Sequence, residues 1–192
     1  MNTDYIPNLT HPSGQVLTTA DWTAAGVNIA TCDLSALLIK PGIKYLNQLK
    51  NLKQYWHWPG QLLLNTSDLL RNKAGMIQIR SLFDGRILKF TEEEIAALIQ
   101  HLKSDDIAED NFKENNAPSE DALKGVIYTS ENTTFSIQEK KNELDFLMLD
   151  QNCACPACQA KLTRAYFHHL YVHTPLLCHR WLIIHNQWIA HH

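Results

Sequence analysis

Cys153-Ala154-Cys155-Pro156-Ala157-Cys158 is the stretch around which the rest of the chain organises. It gathers three of the five cysteines within six residues, while Cys32 and Cys178 stand alone. An odd count without paired spacing argues against a disulfide framework and for metal binding or reduced thiols. A C-x-C-x-x-C loop supplies three thiolates without long-range folding, and a zinc ion takes four soft or borderline donors in a tetrahedron. Three thiolates plus a neutral imidazole close that tetrahedron, so the expected site is structural rather than hydrolytic.

The fourth donor must come from elsewhere. Seven of the ten histidines fall in the last 25 residues. After the Pro175 break, Leu176, Leu177, Arg180, Trp181, Ile184 and Trp188 recur at helical spacing. Cys178 lies two turns before His185 on nearly the same face, so spacing alone leaves His185, His179 and Cys178 all open.

Composition changes sharply on either side of this region. Residues 151–192 contain no acid and three cations, Lys161, Arg164 and Arg180. Lys103 to Asp145 holds eleven acids against five lysines and reads as a solvated linker followed by a polar hairpin around Val126 to Ile137. The subdomain boundary is expected near 145–152. Upstream, Thr18 or Thr19 caps a helix that Gly26 ends, and Val27 to Ile39 has room for a buried strand before the Pro41-Gly42 turn. Ile43 to Leu52 has helical spacing, and Gln61 to Asn65 is an apolar run of strand length. Met76 to Arg80 and Ile87 to Phe90 flank Asp84-Gly85 as a hairpin, and Thr91 with Glu94 forms a capping box for a helix through Leu102. Trp56 and Trp58 read as core or lid packing.

The whole chain has 192 residues, 45% hydrophobic and 19% charged, with a formal net charge of −3. That is room for one domain or a domain with an appendage, and it excludes wholesale disorder. It also excludes a global basic field, so nucleic-acid contact would need a local patch. No apolar run approaches the roughly 18 residues of a membrane span, and the N-terminal MNTDYIPNLT lacks the layout of a signal peptide, so a cytoplasmic protein is expected.

The ordered set Cys153-x-Cys155-x-x-Cys158, then Thr163-Arg164-Ala165-Tyr166-Phe167-His168-His169-Leu170, then Ile184-His185-Asn186 resembles the C-terminal end of the tRNA-guanine transglycosylases. Members of that family exchange guanine for queuine or its precursor in tRNA. The resemblance implies zinc held by Cys153, Cys155, Cys158 and His185. Weaker likenesses follow in family order: Leu17 to Trp22 with Gly26, Lys40-Pro41-Gly42, Trp58 with Leu62 to Asn65, Phe83-Asp84-Gly85 through Thr91-Glu92-Glu93, and Ser104-Asp105. The implied fold is α/β, an incomplete (β/α) barrel with a C-terminal helical zinc-binding subdomain. The implied division is 1–107 partial barrel, 108–150 acidic linker and hairpin, and 151–192 zinc-binding subdomain.

The departures bear on function. Asn65-Thr66-Ser67-Asp68 stands where the family has D-S-G-G, so an amide replaces an acid that takes part in catalysis, and an amide cannot shuttle a proton at neutral pH. The nucleophilic aspartate is expected between Ser104-Asp105 and Cys153, where only the acidic linker and one hairpin occur. A complete barrel takes about 250 residues, so a closed one is not expected from this chain alone. No catalytic residue is assigned. The leading expectation is a non-catalytic, transglycosylase-like zinc protein that contacts tRNA, a full-length transglycosylase or a second copy of itself. The family is implied to dimerise near this region, and its eukaryotic enzyme pairs a catalytic with a non-catalytic subunit. The alternatives are an active transferase with rearranged chemistry, using acids such as Asp68 or Asp84, and an inactive remnant.

Overall fold

The computed structural model describes residues 6–73, 75–102, 106–107 and 114–192. In chain order these form α1 (Thr19–Ala24), β1 (Ile29–Asp33), α2 (Leu34–Leu37), α3 (Ile43–Leu46), α4 (Leu52–Trp56), β2 (Gln61–Asn65), β3 (Ile77–Arg80) and β4 (Ile87–Phe90). They continue with α5 (Glu92–Leu102), β5 (Asp106–Ile107), α6 (Ala117–Leu123), β6 (Val126–Tyr128), β7 (Thr134–Ser136), α7 (Pro156–Gln159), α8 (Arg164–His173) and α9 (Pro175–His191). The protein is mixed α/β with small sheets.

Packing divides the described chain into two compact units. One takes in residues up to Pro7, His11–Asn28 and Glu114–His192; the other takes in Asn8–Thr10 and the described residues from Ile29 to Ile107. This partition does not coincide with the expected divisions at 107/108 and 150/151. The expected Ser104-Asp105 likeness lies outside the described residues.

The second unit is built on a parallel sheet of order β1-β2-β5, with Ile29 opposite Gln61 and Asp33 opposite Asn65. Leu62, Leu63 and Leu64 are all fully buried, the mark of a strand covered on both faces. The apolar run Val27 to Ile39, expected to have room for a buried strand, holds one over Ile29–Asp33, after which Leu34 turns directly into α2. The hairpin β3–β4 pairs as expected, Ile77 with Phe90. The capping box of α5 also forms: the Thr91 N–H donates to Glu94 at 2.8 Å and the Glu94 N–H to Thr91 Oγ1 at 3.2 Å. Ile95, Leu98 and Leu102 are the buried face of that helix. Trp58 is buried and its indole N–H donates to the Gln61 carbonyl, a packing role.

In the first unit Thr18 is the cap of α1, in a capping box with Asp21. The stretch expected as solvated linker holds α6, started by a proline in its first turn. Pro118, Ser119 and Ala122 are buried as α6 packs along α9. The β6–β7 hairpin pairs Ile127 with Phe135, as expected. Gly125 (φ +74°) precedes β6 where the chain passes so close to Tyr171 that an added Cβ would sit 3.0 Å from its ring. Among the described residues no helix is long and apolar enough to cross a membrane.

Candidate metal centre

The loop that carries the cysteines is shaped by its own backbone. Pro156 opens α7, and the N–H groups of Cys155 and Cys158 each point at a sulfur, those of Cys153 and Cys155, at 3.4 Å. Such bonds favour the thiolate form that metals bind. The helix α8 follows, capped by Thr163, and α9 returns past the loop to present His185. Cys153, Cys155, Cys158 and His185 are all buried, with their donor atoms within 4.8 Å of one another, a group that could hold a metal ion.

The separations test the fit. With sulfur at about 2.3 Å and nitrogen at about 2.0 Å, tetrahedral zinc sets S···N edges of about 3.5 Å. His185 Nδ1 lies 3.7, 3.4 and 3.5 Å from the sulfurs of Cys153, Cys155 and Cys158. The donor set also carries an electrostatic imbalance that a cation would relieve. Hydrogen bonds from Cys153 and Cys155 hold the Cys158 thiol far below its ordinary range, while contacts with Cys155 and Cys158 push Cys153 far above it. Burial would lower the His185 pKa, but hydrogen bonding and charge from Cys155 and Cys158 push it up to about 10. A divalent ion replaces the shared protons of such a cluster.

Other groups aim the imidazole. His185 Nε2 lies 2.9 Å from the Tyr128 carbonyl oxygen, which only accepts, so Nε2 carries the proton and Nδ1 offers its lone pair. Next along α9, Asn186 accepts the Tyr128 N–H at 3.0 Å and donates to the carbonyls of Val126 at 2.9 Å and Pro118 at 3.1 Å. His185, Asn186 and Gln187 have no exposed surface, and Gln187 donates to Ser119. The acidic stretch read as linker and hairpin is therefore the second wall of this site. Asp150 braces the approach to Cys153: burial opposes its charge, but the N–H groups of Ser130 and Asn152 hold its pKa below the usual carboxylate range.

The other candidate donors are engaged elsewhere. The Cys178 thiol is buried, donates to the Phe167 carbonyl at 3.5 Å, and is pushed by burial up to about 12. His179 packs edge-on against Tyr171. The stripe expected on α9 is displaced, with Leu176 70% exposed, while Leu182, Ile183 and Ile184 are buried.

The cations of the acid-free segment, Lys161, Arg164 and Arg180, do not form a free basic patch. Arg164 donates to Asp145 and to the carbonyls of Met148 and Leu149, and stacks 4.6 Å over Phe135. Arg180 makes a bidentate pair with buried Asp21, at 2.7 and 3.1 Å. Two of the three cations are thus committed to internal carboxylates, and Lys161 is the exposed one.

In the second unit, Asn65 ends β2 and donates to Asp33 Oδ1 at 3.0 Å, while Asn8 donates to Asp33 Oδ2 at 2.8 Å. Sequence reading missed Asp33; its place at the carboxyl end of a parallel strand was the available signal. Asp68 accepts from the Ser35 hydroxyl and does not take the place of Asn65.

Comparison with known proteins adds family context. The family described as queuine tRNA-ribosyltransferase matches residues 114–192. A queuine tRNA-ribosyltransferase of Lawsonia intracellularis (strain PHE/MN1-00) is 41% identical over 69 residues, 36% of this chain and 18% of that protein. The queuine tRNA-ribosyltransferase accessory subunit 2 of Gallus gallus is 42% identical over 76 residues, 38% of this chain and 18% of its own length. A queuine tRNA-ribosyltransferase of Chlamydia muridarum (strain MoPn / Nigg) is 36% identical over 79 residues, 41% of this chain and 20% of that protein. The matches thus span about a fifth of these relatives. The matched segment contains α6, β6 and all four donors of the cluster. Residues 114–192 are thus similar to the queuine tRNA-ribosyltransferase family, and the four-donor cluster lies within that matched segment.

Proposed function

We propose that this is a non-catalytic, zinc-binding protein of queuosine-related tRNA modification that acts by binding a full-length transglycosylase, in the cytoplasm. Cys153, Cys155, Cys158 and His185 are its zinc ligands, and the metal is structural: four protein donors leave no position for water or substrate. The observation that carries the reading is the closed Cys3His cluster inside the family-matched segment. Likeness to an accessory subunit, and the internal pairing of Arg164 and Arg180, favour a protein partner over direct capture of tRNA.

The non-catalytic half of the reading rests on Asn65. Its amide is bonded to Asp33 and offers no titratable proton. Between residue 105 and Cys153, where the nucleophile's strand is expected, the described chain has the two-residue strand β5, α6 and the β6–β7 hairpin. The parallel order β1-β2-β5 with intervening helices suits a portion of a transglycosylase-type (β/α) barrel.

The test is labelled-guanine incorporation into tRNA by the purified protein, alone and mixed with a full-length transglycosylase, alongside co-purification of the two. No incorporation alone, with stable association, is the expected result. Incorporation by the chain alone would establish the second reading, an active transferase, which the enzyme names of the bacterial relatives favour. Neither incorporation nor association would leave an inactive remnant.

A further inference from the structure

The histidine excess at the C-terminal end is only partly absorbed by the metal centre. His185 belongs to the cluster, His168 bonds the Ile137 carbonyl, and His179 packs on Tyr171. His191 bonds the Gln187 carbonyl, and His192 stacks on Trp188. The remaining two, His169 and His173, are both exposed on α8, one turn apart. Among the described residues, their recorded ring contact is with each other, centroid to centroid at 4.4 Å and tilted by 40°.

That separation has a coordination meaning. With metal–nitrogen bonds of about 2.0–2.1 Å, each ring centroid lies about 3.2 Å from a bound ion, so two imidazoles at 90° are about 4.5 Å apart and at the tetrahedral angle about 5.2 Å. The pair matches the right-angle case, the geometry of tetragonal copper(II) and octahedral or square-planar nickel(II), whose preferred nitrogen donor is imidazole. Positions i and i+4 of a helix share one face, so both rings reach one ion without bending the backbone. Because the rings already adjoin, little further side-chain ordering is needed on binding. Residues 151–192 supply no carboxylate, so hard magnesium or calcium finds no protein oxygen charge on this helix.

We propose that His169 and His173 form a second, solvent-accessible binding site for a borderline divalent ion of the nickel(II) or copper(II) type, distinct from the buried cysteine cluster. Water completes its coordination. This site is independent of the non-catalytic reading and of the partner.

The experiment is a nickel(II) titration of tag-free, zinc-loaded protein, followed by calorimetry, by paramagnetic broadening in NMR spectra and by zinc content. One nickel per chain is expected, with broadening centred on the second half of α8 and zinc retained. His169→Ala and His173→Ala should each weaken nickel binding by about 100-fold, since each removes the intramolecular second donor. Alanine favours helix, so both variants should fold, which unchanged zinc content and circular dichroism would verify. His168→Ala and the double variant His191→Ala/His192→Ala should bind nickel as the parent does. Undiminished binding by either single variant, broadening centred on His191 and His192, or displacement of zinc would each overturn the proposal.

Discussion

The Nε2 of His185 lies 2.9 Å from the carbonyl oxygen of Tyr128, a residue 57 positions earlier in the chain. That bond ties the donor histidine to the edge of a hairpin, and Asn186 fixes the same residue from its N–H side at 3.0 Å. The histidine-asparagine pair therefore does two jobs in adjacent positions: one side chain faces the sulfurs, and its neighbour holds the strand that orients it. Groups of this kind set how tightly and how long a metal is held.

Asn186→Leu should accordingly release metal to a chelator about 10- to 100-fold faster than the parent. It leaves the N–H of Tyr128 and two carbonyls without their partner in a buried place, at a cost of about 3 kcal/mol. Competition with a colorimetric chelator, together with thermal unfolding of the loaded protein, checks both. Unchanged release would show that Tyr128 is held without Asn186.

Cys178→Ala and His185→Ala should separate cleanly. The first removes a buried thiol bonded to a carbonyl and should keep full metal content; the second removes the nitrogen that faces the three sulfurs and should lose it. In unmodified protein the Cys178 thiol, pushed up to about 12, should resist alkylation at neutral pH even after the metal is withdrawn. Metal measurements on the two variants give the comparison, and a larger loss from Cys178→Ala would reverse the assignment of the fourth donor.

The Asp21–Arg180 pair predicts an acid-side dependence of stability. Burial disfavours the charge of Asp21, yet hydrogen bonds from Arg180 and Thr18 hold its pKa below the ordinary carboxylate value of 3.8. A depressed carboxylate stabilises the fold above its unfolded pKa, and that contribution is lost as pH falls through the lower folded value. Asp21→Asn should therefore destabilise the protein at pH 7 by about 1–2 kcal/mol and by less near pH 2. Urea unfolding at the two pH values measures the difference; an equal loss at both would mean that the charge of Asp21 contributes nothing.

Asn65→Asp would place a second carboxylate about 3 Å from Asp33 Oδ1, where the amide now donates. Two such carboxyls cannot both ionise at ordinary cost, so one pKa rises above its unfolded value. The pair is then tolerated at low pH and penalised as pH rises past about 4, reaching about 1–3 kcal/mol near neutrality. The variant should be less stable than the parent at pH 7, nearly equal at pH 3, and still without guanine exchange. Gain of exchange activity would restore a catalytic role to this position.

Local features were legible in the sequence because local chemistry determines them. Thr18 or Thr19 ahead of Asp21 and Thr91 with Glu94 announced helix starts, Asp84-Gly85 announced a hairpin, and the cysteine spacing announced a compact donor loop. What escaped depends on partners far along the chain. The acidic composition around Asn115-Asn116 concealed α6, whose buried face exists only against α9; proline in its first turn was the available clue. Arg164 and Arg180 looked like a free basic patch because charge counts do not reveal that Asp145 and Asp21 fold against them. The polar end of β2 concealed Asp33 for the same reason: its partner Asn65 lies 32 residues away.

The most direct test of the account is zinc K-edge absorption spectroscopy with elemental analysis on the intact protein, made under reducing conditions. The account predicts one zinc per chain, with three sulfurs at about 2.3 Å and one nitrogen at about 2.0 Å, the nitrogen lost in His185→Ala. Protein that folds with no bound metal, or a first shell of four sulfurs, would contradict it.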